Sequence, residues 1–415
     1  MNKENCHPLI TDFFITKTID NKNALKPSNS NDLLLSNQSP LSKQKTEKSS
    51  PISTNESDIP FEIPEIEFNK IINEFSLDSP VKLLNRKRGH FKKIPTLHDN
   101  RNNFIFYKHK HTTTKKKISV LSYNILHQLY MKKYNRPDLS VDNRMKKIKN
   151  EILSLSPDIF CLQEADSKIY HKFFSSECFA EYSTVYGINC GSCFINVVGF
   201  KNKKFCLKSF KNFSLLSLGK LAGNRGVMNV QLEHEQYKEM ISIYNVHLPW
   251  KYEKDRFTIM TMIYDHLKET ETQIGKHNVL IVGDFNSEPH SDTIKLFYLR
   301  HFLKEQKEKE DNEKNCVNYK LLQLADYVYN HYKLKSAYQS YTKEGNNEFL
   351  KFPLFTTKTQ FYKKTIDYIF FSNKLKVHKI LKLPSEEDVN KEKFLPSAEF
   401  PSDHLKLYAE FYFKK

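Results

Sequence analysis

Residues 278–289 read Asn278-Val-Leu-Ile-Val-Gly-Asp284-Phe-Asn286-Ser-Glu-Pro289. The run from Asn278 to Val282 is apolar and rich in β-branched residues, which is typical of a strand buried on both faces. Asp284 and Asn286 follow at the end of this run. Carboxylate and carboxamide oxygens are ligands for hard divalent cations. The segment therefore predicts a buried strand that delivers two polar side chains to a sheet edge.

Four further motifs occur in order along the chain, and three of them also follow short apolar runs. They are Ser122-Tyr-Asn124-Ile-Leu126, Cys161-Leu-Gln-Glu164, Asn245-Val-His247-Leu248 and Pro401-Ser-Asp403-His404. Each places one or two Asn, Glu, Asp or His side chains at its end. Oxygen ligands, a carboxamide and two imidazoles at strand ends are what a divalent-metal phosphodiester hydrolase needs.

The composition favours a polyanion as partner, because 65 basic residues stand against 48 acidic ones and give a formal net charge of +17. A general lysine bias is the alternative explanation. No apolar run approaches the ~20 residues of a membrane span. Residues 1–20 lack an apolar core and carry acidic residues, so we expect no signal or transit peptide. The seven cysteines are interpreted as reduced thiols.

The chain divides into a tail and one domain. Residues 1–115 are rich in Ser, Asn, Lys and Pro without a sustained period, which predicts a disordered tail. Residues 116–415 alternate strand and helix patterns, with helix faces over 145–152 and 257–267 and late strands over 366–371 and 405–413. Residues 304–315 are almost all charged or amide, which predicts a solvated insertion.

Taken in order over residues 118–413, the motifs resemble the endonuclease/exonuclease/phosphatase superfamily. Within it, the chain is similar to the branch that contains the Ccr-type deadenylases, nocturnin, the Angel proteins and the 2′,5′-phosphodiesterase. The resemblance implies an α/β (α+β) fold, namely a four-layer αββα sandwich of DNase I-like type. It places the site at the strand ends on one edge of the two sheets.

The resemblance also implies metal and catalytic roles. Glu164 matches the residue that holds Mg²⁺, with Asp403 as a further metal residue and Mn²⁺ as a second candidate ion. A helix N-terminal glutamate is the alternative interpretation of Glu164. Asp284 and Asn286 flank Phe285, so on an extended turn we expect their side chains to point the same way. They match the pair that orients the attacking water and binds phosphate oxygens. Asp367 matches the residue that orients His404 beside the scissile phosphate.

Substrate-contacting roles are implied for four more residues. His247 matches a second catalytic histidine, and Asn124 and Asn224 match positions near the phosphate. Tyr362 matches an aromatic residue that stacks on a base, although packing within an aromatic loop explains it equally well. Around this position the chain departs from the deadenylases, for example with Tyr252 where they carry proline. The departures leave the metal chemistry intact and put adenine preference in doubt.

The predicted function is a Mg²⁺-dependent nuclease, in first place a 3′ exoribonuclease of deadenylase-like type acting on RNA rather than DNA. The first alternative is a DNA-end processing enzyme recruited by the sliding clamp PCNA. Residues 7–14 resemble the clamp-binding peptide through Ile10, Phe13 and Phe14. The second alternative is a catalytically silent nucleic-acid-binding scaffold. The basic patch at residues 86–93 resembles a nuclear import signal, so we expect the nucleus or the cytoplasm as location.

Overall fold

A computed structural model of the chain describes residues 103–107, 116–131, 134, 139–174, 179–189, 193–213, 215, 225–297, 316–344, 347–391 and 394–414. Its helices are α1 (Gln128–Met131), α2 (Val141–Leu155), α3 (Ser167–Phe174), α4 (Glu253–Ile274), α5 (Asp292–Lys295), α6 (Cys316–Tyr332) and α7 (Glu386–Asn390). Its strands are β1 (Phe104–Phe106), β2 (Lys117–Asn124), β3 (Ile159–Asp166), β4 (Tyr182–Ile188), β5 (Phe194–Lys201), β6 (Phe205–Asn212), β7 (Gly226–His234), β8 (Met240–His247), β9 (Asn278–Asp284), β10 (Lys335–Ser336), β11 (Ser340–Glu344), β12 (Asn347–Lys351), β13 (Thr357–Lys358), β14 (Lys363–Lys364), β15 (Asp367–Phe371), β16 (Leu375–Leu381) and β17 (Leu407–Phe413).

The strands form two large sheets and two small hairpins. The first sheet has the order β1-β16-β17-β2-β3-β5-β4, and the second has the order β10-β15-β9-β8-β7-β6. The strand pairs β2–β3 and β8–β9 are parallel, so the carboxyl ends of these four strands point in one direction within each sheet. The hairpins are β11–β12 and β13–β14.

The sheets pack face to face and carry helices on their outer faces. Side chains of β9 alternate between two cores: Leu280 and Val282 face the first sheet, whereas Val279 and Ile281 face α4 and α6. A third core lies between the first sheet and the helices α2 and α3. Burial on both faces explains why β9 is a continuous apolar run. The predicted four-layer αββα sandwich is confirmed.

The predicted helix faces are present. In α2, Met145, Ile148 and Ile152 are buried, and the Ser140 side chain accepts a hydrogen bond from the Asn143 amide at the amino end of the helix. In α4, Met260, Ile263 and Leu267 are buried. Both helices therefore cover the sheets with the residues that the periodicity singled out.

One segment differs from the sequence prediction. Residues 104–106 were expected within the disordered tail, but they form β1, which pairs with β16 at the edge of the first sheet. The Phe104 ring is buried and lies 5.8 Å from the Tyr408 ring, and Lys379 Nζ lies 4.3 Å from the Phe104 ring. These are long-range contacts, and no local pattern in the chain encodes them.

Several predictions lie outside the described residues. They are the tail up to residue 102, the clamp-like peptide at residues 7–14, the basic patch at residues 86–93 and the insertion at residues 304–315. Within the part of the chain that the structure describes, no helix has both the length and the apolar character needed to cross a membrane.

A layer of buried amides joins the two sheets just behind their carboxyl-end edge. Asn245 of β8 donates from Nδ2 to the Leu162 and Val197 carbonyls, at 3.0 and 2.9 Å. Its Oδ1 accepts a hydrogen bond from Gln163 Nε2 at 2.7 Å. Because the buried Asn245 amide makes three hydrogen bonds to β3 and β5, it fixes the position of these strands relative to β8.

Candidate active site

The register of the strands brings three predicted site residues to one edge. His247 is the partner of Asp284 across the parallel pair β8–β9, and Asp367 is the partner of Asp284 across the antiparallel pair β15–β9. In the first sheet, Asn124 is the partner of Gln163, the residue before Glu164. The polar side chains that end these strands therefore converge from both sheets.

Glu164 has an unusual backbone. Its φ of 57° is in the left-handed region, and the register between β3 and β5 shifts between Leu162 and Ala165. A bulge of this kind changes the direction of a side chain, and the backbone of a non-glycine residue is strained at this φ. The carboxylate accepts hydrogen bonds from the His127 amide at 3.1 Å and from Asn124 Nδ2 at 3.2 Å. The strained strand end therefore carries an oriented carboxylate, and Glu164 is not at a helix start.

Asn124 links the carboxylates of the two sheets. Its Nδ2 donates to Glu164 Oε1 at 3.2 Å and to Asp284 Oδ2 at 3.0 Å, and its Oδ1 accepts from the Leu126 amide at 3.0 Å. The amide hydrogens of Asn124 are thus directed at two acids. The structure places Asn124 in the site as an orienting group, while its predicted contact with substrate stays a prediction.

Asp284 and Asn286 were expected to flank Phe285 on an extended turn, but the turn is closed. The Asn286 amide donates to Asp284 Oδ1 at 2.8 Å, and Asn286 has a φ of 46°. Asparagine tolerates this conformation, and such Asx turns are common where a strand ends. Asn286 Nδ2 donates to the Leu248 carbonyl at 2.9 Å. Phe285 is buried and anchors the turn.

His404 and Asp367 form a close pair. His404 Nδ1 lies 2.9 Å from Asp367 Oδ2, which also accepts a hydrogen bond from Thr356 Oγ1 at 2.6 Å. Burial lowers the pKa of His404, but Asp367, Asp284 and Asp403 raise it, and the net pKa lies well above the usual value of 6.5. The imidazole is thus a cation beside Asp284, whose Oδ2 lies 3.8 Å from His404 Nε2.

His247 occupies the opposite side of Asp284. Its Nε2 lies 3.5 Å from Glu164 Oε1 and 3.7 Å from Asp284 Oδ2. Burial, followed by the charges of Arg225 and His404, lowers the pKa of His247 well below 6.5, so the ring is neutral. Neither ring nitrogen has a hydrogen-bond partner among the described residues. A buried imidazole with unsatisfied nitrogens is typical of a group that contacts a ligand.

Two overlapping sets of side chains have the spacing of a metal site: Glu164, His247 and Asp284, and then Asp284, Asp367 and His404. In each set the potential ligand atoms lie within 4.8 Å of one another. Burial, with contributions from Asp367 and Glu164, raises the pKa of Asp284 to about 7 although His404 lowers it. Crowded buried carboxylates of this kind gain stability from a cation. The donor set is oxygen-rich and fits a hard divalent ion.

Asp403, predicted as a metal residue, belongs to neither set. Its Oδ2 accepts a hydrogen bond from the Tyr134 hydroxyl at 2.8 Å, and its Oδ1 lies 4.0 Å from His404 Nε2. Asp403 is thus part of the site and close to His404. Its predicted role as a ligand stays a prediction.

Sequence reasoning missed Arg144, a buried arginine in α2. Its guanidinium donates to the carbonyls of Ile125 and Leu126, at 2.5 and 2.6 Å, and to the Pro401 carbonyl at 3.0 Å. It therefore clamps the loop after Asn124 to the loop before His404. The sequence did contain a signal that Arg144 is buried, because it lies four residues before Ile148 and therefore on the same buried helix face.

Tyr362 lies in the turn between β13 and β14 and is 41% exposed. Its backbone amide donates to Thr359 Oγ1 at 3.2 Å, and Lys364 Nζ lies 5.8 Å from its ring. The hairpin adjoins the site because Thr357 bridges to His404. The position suits base stacking, and that role stays a prediction. Asn224, Ile10, Phe13 and Phe14 lie outside the described residues.

Comparisons with known proteins agree with this geometry. The model of the Endonuclease/Exonuclease/phosphatase family matches residues 121–404. The probable CCR4-Not complex 3′-5′-exoribonuclease subunit Ccr4 of Vairimorpha ceranae (strain BRL01) is 27% identical over 326 residues, which cover 71% of this chain and 63% of that protein. The 2′,5′-phosphodiesterase 12 of Mus musculus is 25% identical over 354 residues, which cover 74% of this chain and 54% of that protein.

A solved structure supports the fold. The crystal structure of ANGEL2, a 2′,3′-cyclic phosphatase, superposes with a TM-score of 0.57 and 22% identity over 74% of this chain and 97% of that one. The chain thus spans less than two thirds of the length of these two curated relatives and almost all of the solved domain. The predicted resemblance to the superfamily and to its deadenylase-like branch is confirmed. The chain belongs to the endonuclease/exonuclease/phosphatase family.

Proposed function

We propose that this protein is a metal-dependent phosphodiesterase that hydrolyses nucleic acid, and that it removes nucleotides from the 3′ end of RNA. The observation that carries the proposal is the convergence of Glu164, Asp284, Asp367 and two histidines at one edge of the sandwich. Two carboxylate clusters flanked by a neutral and a charged imidazole suit water attack on a phosphodiester.

Glu164 and Asp284 are the residues proposed to hold the ion. Asn124 donates a hydrogen bond to each of their carboxylates and so fixes their relative positions. Mg²⁺ fits an oxygen donor set without cysteine, and Mn²⁺ is the second candidate. When bound, such an ion lowers the pKa of water and offsets charge on the phosphate. Asp403 is proposed to support this set through its position beside His404.

The remaining residues are proposed to act on the water and the phosphate. Asp284 orients the attacking water through its carboxylate, with Asn286 held beside it. Asp367 holds Nδ1 of His404, which leaves Nε2 for the phosphate or the leaving oxygen. His247 is neutral, and neither of its nitrogens has a hydrogen-bond partner among the described residues, so its single N–H is available to donate to a phosphate oxygen.

RNA is the proposed substrate because curated relatives of the matched region include a probable 3′-5′-exoribonuclease subunit and a 2′,5′-phosphodiesterase. The net charge of +17 suits a polyanion. An exposed Tyr362 next to the site offers a stacking surface for the terminal base.

The test uses the full-length protein with Mg²⁺ and three labelled substrates of equal length: poly(A) RNA, mixed-sequence RNA and single-stranded DNA. Each carries a label at the 5′ end, so stepwise removal from the 3′ end gives a ladder. We expect a ladder on RNA that a 3′-phosphate cap slows. Cleavage of DNA in preference to RNA would contradict the RNA proposal and favour DNA-end processing, and inactivity on all three would favour the scaffold.

A further inference from the structure

The end of the sandwich opposite the candidate active site carries a group of lysines. The site lies at the carboxyl ends of β8 and β9, and the seven-residue β9 puts the opposite end about 20 Å away. Six lysines lie in or next to the strand ends there, four of them exposed and two partly exposed. We call them the lysine patch: Lys276, Lys333, Lys335, Lys374, Lys376 and Lys414.

Hydrogen bonds and strand pairing hold three of these lysines close to Lys374. The Lys414 amide, just after β17, donates to the Lys374 carbonyl at 2.8 Å. The Lys374 side chain donates from Nζ to the Lys276 carbonyl at 2.6 Å. Lys376 in β16 is the register partner of Tyr412 in β17, two residues before Lys414. The ends of β16 and β17 and the segment before β9 therefore meet at one place.

The other two lysines come from the second sheet and its helix. The Asn373 amide, next to Lys374, donates to the carbonyl of Tyr332 at 2.7 Å, and Tyr332 is the residue before Lys333. Lys335 begins β10 and is the register partner of Phe371, the last residue of β15. The turn from β15 to β16 thus joins the lysines of both sheets into one surface.

The lysine patch lacks matching carboxylates in the part of the chain that the structure describes. None of its six lysines forms an ion pair with a described acidic residue. Acids at the same end have other partners: Glu410 lies 3.0 Å from Lys117, and Glu239 accepts a hydrogen bond from Asn278 Nδ2 at 3.2 Å. The positive charge of the patch is therefore left uncompensated by these residues.

The lysines of the patch also act on one another. Burial, followed by the charges of Lys335 and Lys376, lowers the pKa of Lys414. Like charges disfavour each other's charged forms, so these amines lie within electrostatic reach. A concentration of one sign of charge opposes the compact state and attracts the opposite sign. A bound anion would relieve this repulsion.

The layout of the patch favours a chain of phosphates over a single anion. Its lysines come from the ends of three strands and from two connecting segments, and neighbouring strands lie about 4.8 Å apart. One phosphate would contact only part of such a surface, whereas a backbone with regularly spaced phosphates would contact all of it. Lysine is a flexible point charge, which suits backbone contacts that do not depend on the base.

We propose that the lysine patch binds the phosphate backbone of single-stranded RNA, as a contact region remote from the active site. The inference rests on the proposed function, because the patch would hold the 5′ part of an RNA whose 3′ end lies in the site. Stacked RNA advances about 3.4 Å per nucleotide, so an RNA of about five nucleotides is too short to occupy both places. The patch therefore strengthens the binding of long RNAs only.

The test uses the full-length protein and a patch variant, Lys335→Gln/Lys374→Gln/Lys376→Gln/Lys414→Gln. Fluorescence anisotropy in EDTA measures the binding of RNAs of about 5 and about 40 nucleotides over a range of salt concentrations. We expect the patch variant to bind the long RNA at least about tenfold more weakly. The slope of log K against log salt should become shallower by up to about 3, since each phosphate contact on a single strand contributes about 0.7.

Cleavage with Mg²⁺ gives a second readout. The patch variant should show a higher KM for the long RNA with an unchanged kcat, because the patch lies away from the reacting groups. Both constants for the short RNA should equal those of the wild type. The double variants Lys335→Gln/Lys414→Gln and Lys374→Gln/Lys376→Gln disturb the fold less, and each should give about half of the change in slope.

A matched control variant removes the same charge from lysines that already have a carboxylate partner. It combines four changes to glutamine, at Lys172, Lys208, Lys320 and Lys391. We expect this variant to bind both RNAs as the wild type does. Thermal unfolding of all variants checks that each one is folded.

The outcomes separate the inference from the proposed function. If the wild type cleaves RNA and the patch variant binds the long RNA normally, the inference is wrong and the proposed function stands. An equal loss in the control variant, or an equal loss for the short RNA, would also overturn the inference. If the wild type binds long RNA through the patch but cleaves no RNA, the inference stands and the proposed function fails.

Vesicles that contain phosphatidylserine test an anionic membrane as the other large partner. We expect no difference in vesicle binding between the patch variant and the control variant. Vesicle binding that requires the patch, together with RNA binding that does not, would overturn the inference in favour of a membrane surface.

Discussion

His404 and Asp367 are joined by a contact that uses both carboxylate oxygens: Nδ1 of His404 lies 2.9 Å from Oδ2 and 3.1 Å from Oδ1. Asp367 is itself fixed, because the Thr356 hydroxyl donates to its Oδ2 and the Asp367 amide donates to the Thr356 oxygen. The chain thus presents Nε2 of His404 towards Asp284 at a fixed orientation. Catalytic imidazoles act through the nitrogen that such a carboxylate leaves uncovered.

Asp367→Asn should lower kcat strongly while the protein stays folded. The asparagine keeps the shape of the side chain but removes the charge that raises the pKa of His404. We expect kcat to fall by about 10²- to 10⁴-fold, the usual contribution of a positioned acid or base. Steady-state kinetics on a labelled RNA measures this effect. Thr356→Val keeps the Asp367 carboxylate and removes the hydroxyl that supports it, so we expect a smaller fall in kcat. An Asp367→Asn variant with wild-type kcat would refute the role of the pair.

Mg²⁺ should stabilise the wild type against unfolding through Glu164. A ligand at about a hundredfold excess over its Kd adds about 2.7 kcal/mol to the free energy of unfolding. Glu164→Gln removes one carboxylate from the crowded set and should lose most of this gain. Thermal unfolding with and without Mg²⁺ makes the comparison. The same Mg²⁺-dependent shift in both proteins would place the ion elsewhere.

Asn245→Ala should destabilise the sandwich and also impair catalysis. The change leaves the Leu162 and Val197 carbonyls and the Gln163 amide without their partner in a dry interior. We expect the free energy of unfolding to fall by about 2–4 kcal/mol, as measured by urea titration. Cleavage should slow because Gln163 precedes Glu164 in β3.

Asn229→Ala is the control for the amide layer. Asn229 is equally buried, but its Nδ2 makes a single hydrogen bond of 3.3 Å to the Ile243 carbonyl. Asn229→Ala should lower the free energy of unfolding by less than Asn245→Ala does and leave kcat unaltered. Equal losses of stability in the two variants would mean that the amide layer has no special role.

The sequence located much of the proposed site because Glu164, His247 and Asp284 lie at or near the carboxyl ends of strands. The apolar runs before Glu164, His247 and Asp284 are local signals, and parallel pairing then aligns their ends. The contacts that aim these groups are long-range and leave no local pattern. The hydrogen bond from Asn124 to Asp284 joins residues 160 positions apart in the sequence, and the hydrogen bond from Arg144 to Pro401 joins residues 257 positions apart.

Some details of the backbone conformation could not be predicted from the sequence either. The left-handed φ of Glu164 arises from a bulge in the pairing of β3 with β5, and neither residue type nor spacing indicates it. The closed turn at Asn286 differs from the extended turn that alternation suggested, because the Asp284 side chain captures the Asn286 amide. The strand β1 depends on its packing against Tyr408.

Stability should fall with acid partly through His266, which is remote from the site. Burial, followed by the charges of Lys211 and His277, lowers its pKa from 6.5 to about 4. Its Nδ1 lies 2.9 Å from the Tyr244 hydroxyl. Between these two pKa values the unfolded chain binds the proton more readily, so the free energy of unfolding decreases as pH falls from about 6.5 to about 4.

His266→Gln tests this linkage because glutamine keeps a hydrogen-bonding group but does not titrate. We expect a shallower loss of stability than in the wild type between pH 7 and pH 4.5, measured by urea titration at each pH. The difference should be well under about 1.4 kcal/mol per pH unit, since the ring is only partly buried. Parallel curves for the two proteins would show that His266 titrates normally.

The most direct test of the central claim is cleavage of a 5′-labelled RNA oligonucleotide by the full-length wild type, Glu164→Gln and Glu233→Gln, each with Mg²⁺ and with EDTA. Glu233 pairs with Lys208 on β6 and lies outside the site. We predict a Mg²⁺-dependent ladder with the wild type and Glu233→Gln, and a rate at least about a thousandfold lower with Glu164→Gln. Cleavage that persists in EDTA, or that Glu164→Gln retains, would contradict the account.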